Sequence, residues 1–216
     1  VSAKMLITPS TPYYAFGDTT GNQLSFKVFK VVKVWSTTAT PDTITDDYID
    51  KSKTLASYSG NIPLQDSASV ISLDFDRDQI IEWFNLRKQY GNANDTLNYG
   101  IAFVPDINSN VIRRFASGSV GAMDSSRFAT ILVTYHRENT TDSTITLVST
   151  YDGSYVKTTV PQDSSITIQG AAALNSNIEL DVSSIPKGVA IHLAGLTLTL
   201  DPSKCFTGTT GIDSIV

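Results

Sequence analysis

Apolar and polar residues alternate with a period of two along much of the chain, the signature of strands with one buried face. Residues 3–8 form a short apolar run closed by Pro9. Over residues 24–35, Phe26 and Val28 share one face, Lys27 and Phe29 the other, and Val32 and Val34 follow in register with the first pair. Residues 70–75 set Ile71, Leu73 and Phe75 against Val70, Ser72 and Asp74. The same reading predicts strands over 99–104, 111–115, 130–135, 144–150, 164–169, 178–182 and 190–200, with turn residues between nearly every pair. That spacing defines an all-β sandwich or barrel. One stretch, about 76–90, breaks the pattern: Ile80, Trp83 and Phe84 recur at helical spacing. Asp76 is placed to cap this helix, Gln79 completes a capping-box sequence, and Gly91 supplies a stop. A lone helix among strands is expected to close one end of a sandwich, with Trp83 as its anchor. Residues 37–61 and 118–127 read as exposed loops.

An internal repeat is the most informative feature. Residues 192–216 align without a gap on residues 1–25, bringing Ala194 onto Ala3, Leu196 onto Met5, Leu198 onto Ile7 and Gly208 onto Gly17. Both copies keep the two-residue apolar period, so both claim one strand position. A single closed module cannot use both. The spare copy would leave an unpaired strand edge, which invites another chain, and head-to-tail pairing of that kind builds filaments when the rotation does not close. Ala3, Met5, Ile7, Ala194, Leu196 and Leu198 are therefore the expected assembly residues.

Two parts of the chain are similar, in swapped order, to the halves of one known module. Residues 178–198 read Ile-Glu-Leu-Asp-Val-Ser-Ser-Ile-Pro-Lys-Gly-Val-Ala-Ile-His-Leu-Ala-Gly-Leu-Thr-Leu. The other part holds Val31 to Trp35, Leu73 to Trp83 with Ile80 three residues before the tryptophan, Asn98-Tyr99-Gly100-Ile101-Ala102-Phe103, and Ile131-Leu132-Val133-Thr134-Tyr135. This resembles the DNRLRE-domain group and related carbohydrate-binding jelly rolls of secreted bacterial surface proteins. The hexapeptide that names the group is absent, and no ligand-contacting residue carries over. The resemblance implies a jelly-roll-type β-sandwich, an extracellular or cell-surface setting, and polysaccharide binding as a family possibility. It also implies two portions: 1–136 as the C-terminal portion of one module, and 140–216 as the N-terminal portion of a second, permuted or complementing one.

Composition agrees with a strand-rich fold. Of 216 residues, 41% are hydrophobic, enough for a real core, and only 17% are charged. The net charge of -5 offers no basic stripe for phosphates, so nucleic acid is not an expected partner. The nearest basic feature, Arg113-Arg114, sits in a predicted strand, where one side chain is expected to be packed and one solvated. No apolar run reaches the ~20 residues of a membrane span. The chain opens on Val1 rather than methionine, so it is expected to have been processed or cut. Cys205 is alone, which removes an intrachain disulfide, and His136 and His192 lack neighbouring ligands at zinc spacing.

Candidate chemistry is sparse. Asp74, Asp76 and Asp78 at alternate positions open like an EF-hand calcium loop, but Gln79 and Asn85 stand where its turn glycine and bidentate glutamate belong. Strand-end and helix-cap roles fit these carboxylates better. Glu82 is the strongest lone acid, and His136 with Asp142 has no serine in a nucleophile elbow to serve. No catalytic residue, cofactor or metal is expected. Tyr13, Tyr14, Tyr48 and Tyr58 fall in loops or at element ends, where aromatic faces stack on sugars or pack over the sandwich. The expected function is a non-catalytic extracellular structural or adhesive protein that polymerises by strand sharing with its own copies or adjacent modules. A polysaccharide-binding module is the alternative.

Overall fold

The computed structural model describes residues 1–9, 15–17, 21–40, 42–62, 70–91, 97–115, 129–136, 138, 140–149, 152–156, 166 and 176–205. Ten strands and one α-helix occur among them: β1 Ser2–Ile7, β2 Ala15–Gly17, β3 Gln23–Val31, β4 Ile49–Asp50, β5 Ala56–Asn61, β6 Ile71–Asp74, α1 Arg77–Tyr90, β7 Ile101–Pro105, β8 Val111–Arg113, β9 Thr130–Tyr135 and β10 Ser143–Val148. Every strand pairing is antiparallel. One four-stranded sheet runs β10-β9-β1-β6; in the other, β3 pairs with β4, β5 and β7, and β2 with β8 makes a separate ribbon.

Both sheets feed one core. Alternation sends Ala3, Met5, Ile7, Ile71, Leu73, Ile131 and Val133 inward from the first sheet, where they meet Leu24, Phe26, Val28 and Ala56 from the second. The protein is an all-β sandwich with one short helix, as the periodicity predicts. The helix is local in origin. The Asp76 carboxylate accepts the Gln79 N–H at 2.8 Å, and Gly91 at φ 59° ends the helix with its N–H on the Arg87 carbonyl. Ile80 is fully buried, Trp83 and Phe84 pack against the core from its margin, and Trp83 stacks on Phe75 at 5.9 Å. The capping box is only half formed: the Asp76 N–H donates to the Leu55 carbonyl at 2.8 Å, so it is not available to Gln79.

Several sequence expectations are corrected. β3 stops at Val31, four residues early, where its pairing with β4 ends at Val31↔Ile49 and its pairing with β7 ends at Lys30↔Ile101; Val34 is left exposed. Residues 56–61, read as loop, form β5 and pair along β3 from Gln23↔Asn61 to Val28↔Ala56. Loop 118–127 lies outside the described residues, as does the predicted strand 164–169 apart from Ile166. The predicted strands 178–182 and 190–200 are not strands. The chain divides into compact units whose boundary falls between Gly153 and Ser154. The strand predicted over 144–150 forms as β10, which joins the first sheet through pairs from Ser143↔Tyr135 to Val148↔Thr130.

Within Ser154–Cys205 the described residues carry one regular element, a 3-10 turn at Pro202–Lys204, capped by the Asp201 carboxylate on the Ser203 N–H. A second turn is closed by the Ile185 N–H on the Val182 carbonyl, and Gly188 follows at φ +86°.

Candidate assembly site

The two copies of the repeat have opposite environments. In β1, Ala3, Met5 and Ile7 are buried, with Met5 only 1% exposed. β1 is not an edge strand. It pairs with β9 from Ser2↔Thr134 to Leu6↔Thr130, and with β6 from Lys4↔Asp74 to Ile7↔Ile71. The first copy thus fills an interior slot.

Over its described residues the second copy is bare: Leu193, Leu196, Leu198 and Leu200 are 54–89% exposed. Ile178, Leu180, Val182, Ile185, Val189 and Ile191, which precede it, are 41–67% exposed, and none of these residues joins a strand ladder. Alternating sequence cannot make a strand by itself, since a strand closes its backbone hydrogen bonds only on a neighbour. Their pattern is therefore a strand sequence without its ladder. A further run of matches appears when Tyr14 is skipped: Phe16 then falls on Phe206 and Thr19-Thr20-Gly21 on Thr209-Thr210-Gly211. This register differs by one residue from the ungapped one, and in it Gly17 falls on Thr207 rather than Gly208.

At the start of β1 an apolar cleft of about 400 Å³ opens, lined by Val1, Phe84, Tyr135, His136 and Ile145. Beside it, His136 Nδ1 and Asp142 Oδ1 lie 2.9 Å apart across the β9–β10 turn, both mostly exposed.

The remaining candidates are engaged locally. Asp74 pairs with Lys4 at 3.7 Å, Asp76 caps α1, and Asp78 meets Lys53 at 3.5 Å. Lys53 also donates to Asp76 at 2.8 Å. Asp74 is thus taken up by Lys4, Asp76 and Asp78 share Lys53, and no group of three or more potential metal ligands occurs among the described residues. Glu82 is ion-paired with Lys30 beside a polar cleft of about 210 Å³ that also includes Asp50, Lys53 and Gln79. Burial works against the Asp76 carboxylate, but the hydrogen bonds from Lys53 and the Gln79 N–H outweigh it and hold its pKa below the ordinary 3.8.

The two candidate tyrosines among the described residues, Tyr48 and Tyr58, have separate partners. Tyr58 stacks on Phe26 with ring centroids 5.7 Å apart, and partial burial raises its pKa. Tyr48 takes the Lys33 ammonium over its ring at 5.3 Å. Tyr13 and Tyr14 lie outside the described residues. No helix among the described residues is long and apolar enough to cross a membrane.

By fold and exposed surface this is an antiparallel β-sandwich carrying a strand sequence without its ladder. Comparison with protein-family models, curated proteins and solved structures finds no match for this chain. The DNRLRE-like reading rests on the sequence motifs alone.

Proposed function

We propose that the chain is a non-catalytic structural or adhesive module of the cell exterior that assembles with further copies of itself by sharing strands. One observation carries this reading: ten large apolar residues of 178–200, spaced largely as in a half-buried strand, are 41–89% exposed. Monomeric proteins scatter exposed apolar residues singly, whereas a continuous exposed run marks an interaction surface. Strand sharing is the mode suited to such a run, because a receiving sheet satisfies the backbone while its inner face takes alternate side chains. The exterior setting draws support from the motif resemblance.

Sedimentation velocity over a wide concentration range, with negative-stain microscopy of the same samples, tests the proposal. Particles that lengthen with concentration are expected. A species that stays monomeric throughout would overturn it.

A further inference from the structure

We infer that residues 193–199 of one copy replace β1 of a second copy, lying antiparallel between β6 and β9 in the register that β1 holds. The inference rests on the strand-sharing reading and specifies where the shared strand goes.

The side chains fit that slot. Ala194, Leu196 and Leu198 fall on Ala3, Met5 and Ile7, the three residues that β1 buries. Ala on Ala, Leu on Met and Leu on Ile are exchanges of nearly conserved volume, the kind a packed core accepts best. On the outward face Gly195 falls on Lys4 and Thr197 on Leu6, so no charge enters the interior. The Lys4–Asp74 ion pair is lost, but it is exposed and so worth little.

The open edges fit less well. β6 has four residues, and β7 ends on Pro105, which has no N–H to offer. β10 alternates exposed Thr144, Thr146 and Val148 with half-buried positions. Any of these edges gives an incoming strand one ladder, whereas the β1 slot gives two. The apolar cleft at the start of β1 provides room for the residues that precede Ala194, which read Val-Ala-Ile-His-Leu. As 193–199 enters, β1 is released in its place, so the contacts made in the slot are largely preserved, as in the swapping of an identical element.

Hydrogen exchange on the assembled wild-type protein, read by mass spectrometry beside the monomer, tests the placement. Amides of 193–199 should gain protection while those of Ser2–Ile7 lose it, both in proportion to the assembled fraction. Protection of 193–199 with Ser2–Ile7 still protected would overturn the slot and leave strand sharing intact, with the strand on an edge. Assembly without protection of 193–199, or no assembly, would overturn both.

A second test uses paired cysteines in a Cys205→Ser background. Lys4 is the partner of Asp74, so Gly195→Cys with Asp74→Cys should give a ladder of intermolecular disulfides on a non-reducing gel. A ladder from Gly195→Cys with Thr146→Cys instead would place the strand on β10 and sink the inference.

Discussion

Arg113 carries a guanidinium into the interior, where it donates to the Ile62 carbonyl at 3.0 Å and to Asn22 Oδ1 at 3.3 Å. Asn22 holds φ 48°, a left-handed conformation that asparagine tolerates better than most residues. One side chain thereby joins the turn before β3, the end of β5 and strand β8. The Arg113-Arg114 dipeptide announces one packed and one solvated residue, and Val111 decides which: period two puts Arg113 on the buried face with Val111 and leaves Arg114 exposed. Arg113→Met keeps the apolar stem but removes the donors to a buried carbonyl. Stability in urea should fall by about 1–3 kcal/mol, the penalty for stranding a buried polar group. Circular dichroism of the folded variant should be unchanged, and no loss of stability would show that water or a neighbour serves Ile62 equally well.

Among the elements, the helix has the plainest sequence origin and the most specific pH dependence. The Asp76 carboxylate both caps α1 and accepts from Lys53, and its folded pKa lies below 3.8. A depressed acid contributes stability that is fully present above the unfolded value and is lost as pH falls through the folded one. Asp76→Ala should therefore cost about 1 kcal/mol at pH 7, the ordinary worth of an N-cap. The gap to wild type should narrow below pH 4, measured as the difference in thermal midpoint; a gap independent of pH would assign the effect to packing alone. The helix was legible because cap, apolar stripe and stop glycine all lie within sixteen residues, 76–91. β1, β6 and β9 were legible because each has one apolar face over one buried surface. β5 was not: Ala-Ser-Tyr-Ser-Gly-Asn has little apolar alternation, and its strand form is imposed by six register pairs with β3. Residues 178–182 and 190–200 fail the opposite way, since their alternation is strong but no neighbour supplies a ladder. Periodicity reports what a segment can bury, and pairing decides whether it does.

For the whole molecule, positions 5 and 196 share a place in the repeat but not an environment, so the same charge introduced at each should have separate effects. Met5 is buried in β1, and Met5→Asp puts a carboxylate into the core, which should destabilise the monomer by more than about 3 kcal/mol. Leu196 and Leu198 are 60% and 54% exposed, so Leu196→Asp with Leu198→Asp leaves the core of the larger unit untouched, and its urea midpoint should match wild type. Association is where the double variant fails, because its carboxylates must enter an apolar site to share the strand. A penalty of about 3 kcal/mol or more weakens self-association by over about a hundredfold, visible as a shift of the sedimentation isotherm to higher concentration. Equal loss of midpoint in both variants would mean that residues 196–198 already pack in the monomer. An unshifted isotherm in the double variant would mean that the exposed leucines play no part in assembly. The separation of folding from association is the property that a duplicated strand sequence, buried once and bare once, demands of this chain.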